Sequence, residues 1–262
     1  MTLSLQNKHA IVCGSTDGIG KESALLLASK GCEITLVARN QEKLSKTKSE
    51  LSKEYCQEHQ TICADFDNSQ DLKKKIETHL NYLGKPINIL VNNSGGPKGG
   101  PLINASEEEF RVAFERLLVC NHILARAVFP GMKEIGSGKI INIISTSVKQ
   151  VIPGLGVSNT IRGSVAQWGK TLAIELGEYG VCVNNILPGY TATDRLKYLA
   201  QSKAKQLGVD VEDIYNQWAE NTSLKRIGTA NEIANTVLFL ASDESSYITG
   251  HNFSVDGGRY SA

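Results

Sequence analysis

The chain is poor in the features that define several protein classes. It holds six prolines in 262 positions and 6% aromatic residues, too little proline for an extended or linker-rich molecule. Its charge carries no dominant sign, with 28 Lys and Arg against 27 Asp and Glu and a formal net charge of +1. That balance gives no electrostatic footprint for nucleic acid or an anionic membrane as a partner. No apolar run approaches the ~18 residues of a membrane span, and Met1 to Ala10 lacks the pattern of a secretory signal. Six cysteines (Cys13, Cys32, Cys56, Cys63, Cys120, Cys182) contain no CxxC pair and no metal-ligand spacing. Neither a disulfide framework nor a metal site is expected, and the expected location is a reducing, cytoplasmic one.

What is present is 41% apolar residue, 21% charged residue and 24 glycines, a globular composition in which glycine without proline points to tight turns and close backbone approaches. Short apolar runs alternate with amphipathic segments. Strands are predicted over His9–Cys13, Glu33–Ala38, Thr61–Ala64, Asn88–Val91, Lys139–Ile144, Val181–Ile186 and Asn252–Val255. Helices are predicted over Glu22–Lys30, Gln41–Tyr55, Ser69–Tyr82, Asn159–Glu178 and Asn231–Ala241. Another opens at a Ser106/Glu109 capping box and runs, with a break, to Glu134. Strands spaced by helices in this rhythm predict an α/β fold, a doubly wound, Rossmann-type parallel sheet in a single domain spanning residues 1–262. Tyr190–Ile227 interrupts the rhythm and reads as a helical lid whose Tyr198, Tyr215 and Trp218 either line a pocket or pack the lid itself.

The first strand runs into Gly14-Ser15-Thr16-Asp17-Gly18-Ile19-Gly20 and then a helix. Glycines there let the backbone approach a pyrophosphate held at the positive helix N-terminus. The second strand ends in Ala38-Arg39, with no carboxylate before Glu42. A carboxylate at that place takes the 2′-hydroxyl of NAD, whereas an arginine accommodates a 2′-phosphate, so NADP(H) is favoured over NAD(H).

Taken together these residues resemble the short-chain dehydrogenase/reductase family over essentially the whole chain. Val91-Asn92-Asn93-Ser94-Gly95 resembles its NNAG signature, and Pro188-Gly189 with Thr191 and Thr193 resembles its loop beside the nicotinamide. Tyr247-Ile248-Thr249-Gly250 and Val255-Asp256-Gly257-Gly258 resemble its C-terminal segment. The resemblance implies that Asp65 faces the adenine and that Ser15 assists Arg39 at the 2′-phosphate. It also implies a homo-oligomer, dimer or tetramer, joined through the two long helices.

In that family a serine hydrogen-bonds the substrate carbonyl and a tyrosine handles the hydroxyl proton. A lysine four residues later tunes the phenol and holds the nicotinamide ribose, and an upstream asparagine completes a water relay. Here the matching positions carry Ser145, Ser158, Arg162 and Leu117, with Asn121 one helical turn beyond the last. An aliphatic hydroxyl is a far weaker acid than a phenol of pKa ~10, and Arg162 keeps its charge to hold cofactor ribose hydroxyls or a developing alkoxide, without shuttling a proton. Ser145 and Arg162 thus form a candidate oxyanion site. Ser158 is a candidate water-mediated relay, set against a reading as a helix N-terminal cap that Asn159 shares. Lys149 and Tyr190 are the remaining candidate donors, against readings as a solvated lysine and a pocket wall.

The run Ser-Val-Lys-Gln, Ile-Pro-Gly-Leu and Ser-Asn-x-x-Arg resembles a branch that is like β-ketoacyl-carrier-protein reductases but lacks the standard tetrad. What it implies is an NADP(H)-dependent interconversion of a small-molecule carbonyl and alcohol, with a 3-oxoacyl thioester as the suggested class. The rival expectation is a cofactor-binding sensor or assembly partner without turnover.

Overall fold

The computed structural model describes residues 3–260. Seven parallel strands form its sheet: β1 (His9–Cys13), β2 (Glu33–Ala38), β3 (Gln60–Cys63), β4 (Ile89–Asn92), β5 (Gly138–Ile143), β6 (Val181–Pro188) and, after two short strands in the lid, β9 (Asn252–Val255). Their order is β3-β2-β1-β4-β5-β6-β9. The direction of winding reverses between β1 and β4, and in open α/β sheets a ligand binds in the crevice beyond the carboxyl ends of the strands at that point.

Both faces of the sheet are covered, which explains why the strands read as near-continuous apolar runs. On β1, Ala10 and Val12 face one layer while Ile11 and Cys13 face the other. The first layer holds α1 (Gly18–Ser29), α2 (Gln41–Glu50) and α9 (Ala230–Ala241), packed through Ala24, Leu27, Leu44, Ile233 and Val237. The second holds α3 (Ser69–Leu83), α5 (Cys120–Glu134) and α6 (Gly156–Leu176), packed through Leu72, Ile76, Leu124, Val128 and Ala173. Each fully buried Leu, Ile or Val stabilises the fold by about 1.5–3 kcal/mol relative to exposure.

Local boundaries shift, and the first helix already begins at Gly18 rather than Glu22. The second helix ends at Glu50 rather than Tyr55, because Leu51 turns extended (ψ 137°) and drops into the core. Gln57 then pins the following loop by donating to the Ala28 carbonyl at 2.6 Å. The helix expected from Asn159 already begins at Gly156, so Ser158 and Asn159 are inside it and neither caps it. Asn159 instead donates to the Ile152 carbonyl at 2.9 Å. The break expected between Ser106 and Glu134 is a π-turn over Glu115–Val119, between α4 (Glu107–Phe114) and α5. Ser106 and Glu109 form the expected capping box, each side chain bonding the other's backbone N–H.

The lid is two helices, α7 (Asp194–Leu207) and α8 (Val211–Glu220), tied at their base by the short pair β7 (Thr191–Ala192) and β8 (Gly228–Thr229). Its aromatic residues do not line the cleft: Tyr190 stacks on Trp218 at 5.0 Å and Tyr215 meets the same ring edge-on, packing the lid, while Tyr198 is exposed.

Candidate active site

The strand ends around the winding reversal open onto one cleft of about 730 Å³. Its floor begins at the glycine turn after β1. Gly14 and Gly18 adopt φ of +57° and +49°, a region in which side chains are strained. A Cβ on Gly14 would stand 2.7 Å from Asn93 Nδ2, and one on Gly18 3.0 Å from Thr193. Gly20 does not line the cleft; its missing Cβ lets α1 close against the Gly14 carbonyl. The N-terminus of α1 faces the cleft through Gly18 and Ile19, and Asp17 accepts the Gly18 N–H at 2.7 Å.

At the end of β2, Arg39 lines the cleft together with Asn40 and Lys43. Ala64, Asp65 and Phe66 form the adjoining wall. Ser15 does not join them. It is fully buried, and its hydroxyl donates to the Val37 carbonyl at 3.3 Å, so Thr16 takes the exposed place instead. Asn92 is also structural. It heads a ladder of buried amides across the sheet, donating to Asn142 at 2.9 Å. Asn142 donates to Asn185 at 2.8 Å, and Asn185 to Asn252 at 2.8 Å. These four are register partners on β4, β5, β6 and β9, which is why one residue type repeats across the ladder. Asn93, Ser94 and Gly95 carry the β4 end into the cleft, and Asn93 donates to the Cys13 and Gly14 carbonyls.

The fold brings Ser145, Ser158 and Arg162 to the other half of the same cleft. Ser145 follows β5, and its Oγ accepts the Ser147 N–H at 3.1 Å, leaving its own proton free to point at a ligand. Ser158 and Arg162 stand one turn apart on α6, and Arg162 Nε donates to Ser158 Oγ at 3.2 Å. Arg162 Nη1 bonds the Ile144 carbonyl at 2.7 Å and the Ile143 carbonyl at 3.4 Å, which ties α6 to the end of β5. Burial, reinforced by the charge of Arg195, lowers the Arg162 guanidinium to about 10. It is therefore still a cation at neutral pH. Pro188, Gly189, Thr191 and Thr193 complete the wall, and Gly189 lacks a Cβ where one would stand 2.6 Å from Asp256 Cα.

The other candidates fall away. Leu117 is buried in the π-turn among Ala113, Ile144, Val157 and Ile161, and Asn121 is buried outside the cleft. Lys149 is exposed and does not reach the site. Tyr190 sits under Arg259 and over Trp218, and burial pushes its phenol up rather than toward neutrality. Residues that sequence reasoning missed are Lys43, Arg116, Arg195, Leu196 and Leu199. Lys43, four residues beyond Arg39, is one a helix-face count from the strand end recovers; the others depend on how the lid and α4 fold back.

A family model described as enoyl-(acyl carrier protein) reductase matches residues 14–259. The chain belongs to the short-chain dehydrogenase/reductase family of oxidoreductases. Within it, the chain is 32% identical to the 3-oxoacyl-[acyl-carrier-protein] reductase FabG of Chlamydia muridarum, over 98% of this chain and 99% of that one. Among solved structures it is similar to the L-sorbose reductase of Gluconobacter frateurii, described as complexed with NADPH and L-sorbose (TM-score 0.93, 28% identity, all of both chains). It is also similar to YwfH, described as an NADPH-dependent reductase involved in bacilysin biosynthesis (TM-score 0.91, 26% identity, 97% of this chain and 99% of that one).

Proposed function

We propose that this chain binds NADP(H) and interconverts a carbonyl and an alcohol, using hydroxyl and guanidinium groups in place of a catalytic phenol. One observation carries the reading. A single cleft runs from a cationic strand end, past a glycine turn at a helix N-terminus, to two hydroxyls backed by a buried arginine.

The residues present fit the cofactor. Gly14, Gly18 and Ile19 leave room for a pyrophosphate, Arg39 and Lys43 supply cations for a 2′-phosphate, and Asp65 stands beside the adenosine end. Pro188, Gly189, Thr191 and Thr193 would hold the nicotinamide end. When bound, the cofactor supplies or accepts the hydride. Ser145 and Ser158 each have an acceptor lone pair occupied and a proton free. Both hydroxyls can donate to a carbonyl oxygen as negative charge grows on it, with the Arg162 charge behind them. The proton that completes the alcohol comes from water through Ser158, since among the described residues no side chain lining the catalytic half supplies a phenol, imidazole or ammonium. General acid–base help of that kind is worth ~10²–10⁴-fold, so its absence slows turnover without removing hydride transfer.

The name of the Chlamydia relative makes 3-oxoacyl compounds the first class to assay. Residues 190–227 act as the substrate lid, presenting Arg195, Leu196 and Leu199 to the cleft. Exposed Val112 and Phe114 on α4 and Ile174 on α6 suit a homo-oligomer, dimer or tetramer, which light scattering measures directly. Six free cysteines suit a cytoplasmic location. The test is NADPH oxidation at 340 nm across ketones, 3-oxoacyl thioesters and free oxo acids, after binding has been measured by titration. Saturable binding with substrate-dependent oxidation supports the proposal. Saturable binding without oxidation by any compound favours the sensor reading.

A further inference from the structure

The catalytic half of the cleft holds two cations and, among the described residues, no anion to neutralise them. Arg162 uses Nε and Nη1 on Ser158 and the β5 carbonyls, which leaves Nη2 uncommitted. Arg195 enters from the second position of α7, and one of its Nη2 protons goes to the Pro97 carbonyl at 2.7 Å. Both Nη2 atoms converge on Gly96: a Cβ there would be 3.2 Å from that of Arg162 and 3.7 Å from that of Arg195. The two nitrogens are therefore no more than about 7 Å apart, a span that one carboxylate can bridge with two charge-assisted hydrogen bonds.

Neither guanidinium takes part in an ion pair among the described residues. Arg116, in the wall of the same cleft, shows the alternative, because Asp67 binds it through both carboxylate oxygens at 2.6 and 2.7 Å. The carboxylates that do line the cleft, Asp17 and Asp65, stand at the glycine turn and the adenosine wall. Two half-buried like charges held together cost energy in the absence of a counter-ion. Leu155, Leu196 and Leu199 line the remaining wall.

We propose that Arg162 and Arg195 form an anion subsite beside Ser145, and that the substrate is a free oxo acid. Its carboxylate lies between the two guanidinium groups, its carbonyl faces Ser145, and its chain runs along the leucines. The inference rests on the oxidoreductase reading and narrows it. It selects acids with a carboxylate close to the carbonyl over neutral ketones, esters and thioesters. Arg195 is a specificity-determining residue, outside the proton and hydride chemistry.

The experiment pairs each acid with its neutral ester: 2-oxohexanoate with methyl 2-oxohexanoate, and acetoacetate with methyl acetoacetate. Wild type, Arg195→Met and Arg195→Lys are first titrated with NADPH, then assayed at saturating NADPH. For wild type the acid is expected to exceed its ester at least tenfold in kcat/KM. Arg195→Met should lose that preference through KM with NADPH affinity unchanged, and Arg195→Lys should recover part of it. A parallel readout needs no turnover, namely the change in bound-NADPH fluorescence on adding each acid or ester. A saturable response to the acid alone, abolished in Arg195→Met, supports the subsite. Equal or absent discrimination in both readouts overturns it. Failure to bind NADPH would instead overturn the oxidoreductase reading beneath it.

Discussion

The two halves of the cleft are built on different logic. At the cofactor half, contact comes from backbone geometry: Gly14 and Gly18 sit at positive φ, and Asn93 and Thr193 close in where their side chains would be. At the catalytic half, contact comes from side chains on separate elements, with Ser145 after β5, Ser158 and Arg162 on α6 and Arg195 on α7. Backbone requirements tolerate few replacements because almost any Cβ collides. Side-chain requirements can be met by another group that reaches the same place. The difference explains how a chain can keep a strained glycine turn at the strand ends while carrying serine, arginine and leucine at three positions where its family resemblance implies tyrosine, lysine and asparagine.

The largest effect should come from removing the charges at the cofactor half. Replacing Arg39 and Lys43 together with alanine is expected to weaken NADPH binding by ~10³-fold, the loss of two charge-assisted contacts to one phosphate. Affinity for NADH should hardly move. A parallel loss of both dinucleotides in a fluorescence titration would show that the β2 end does not read the 2′-phosphate.

Next in size is Ser145→Ala at the catalytic half. Losing one oxyanion donor is expected to lower kcat by ~10²-fold while leaving NADPH affinity within about twofold. A variant that loses cofactor binding to the same extent would break the division between the halves.

Much of the cofactor half was legible in the sequence, because glycine spacing and strand-end residues are local patterns. Ser15 was misplaced for a reason that only the fold supplies, since the turn directs its hydroxyl back to the Val37 carbonyl and lets Thr16 face outward. Ser145, Ser158 and Arg162 were found by counting positions along the resemblance. Arg195 was not, because its place opposite Arg162 depends on α7 folding over Gly96, and no spacing within the chain encodes that approach. The amide ladder was equally invisible. Asn92, Asn142, Asn185 and Asn252 are scattered in sequence and become neighbours only through parallel register.

The ladder lies beneath both halves, and breaking it should change cofactor binding least of all. Asn142→Ala leaves Asn92 without its acceptor and Asn185 without its donor. Leaving buried polar groups unsatisfied in this way is expected to cost about 1–3 kcal/mol each at most. Thermal or denaturant unfolding should register that loss. NADPH affinity measured well below the melting temperature should stay close to wild type, and a selective loss of binding would mean that the ladder positions the β4 loop rather than only supporting the sheet.

Catalysis by hydroxyls and a guanidinium, with no ionising acid or base, leaves its mark on the pH profile of kcat/KM for the carbonyl substrate at saturating NADPH. Ser145 and Ser158 do not titrate in water's accessible range, and Arg162 keeps its charge until the pH rises through about 10. Above that value the guanidinium loses its proton and its electrostatic support, so activity should fall on the alkaline side only. The wild type should give a flat profile from pH 6 to 9, and Ser158→Tyr/Arg162→Lys, where a phenol is placed beside an ammonium, a new ionisation within that window. A wild-type profile that steps or bends between pH 6 and 9 would contradict catalysis of this kind, by revealing a titrating proton donor that the cleft is said to lack.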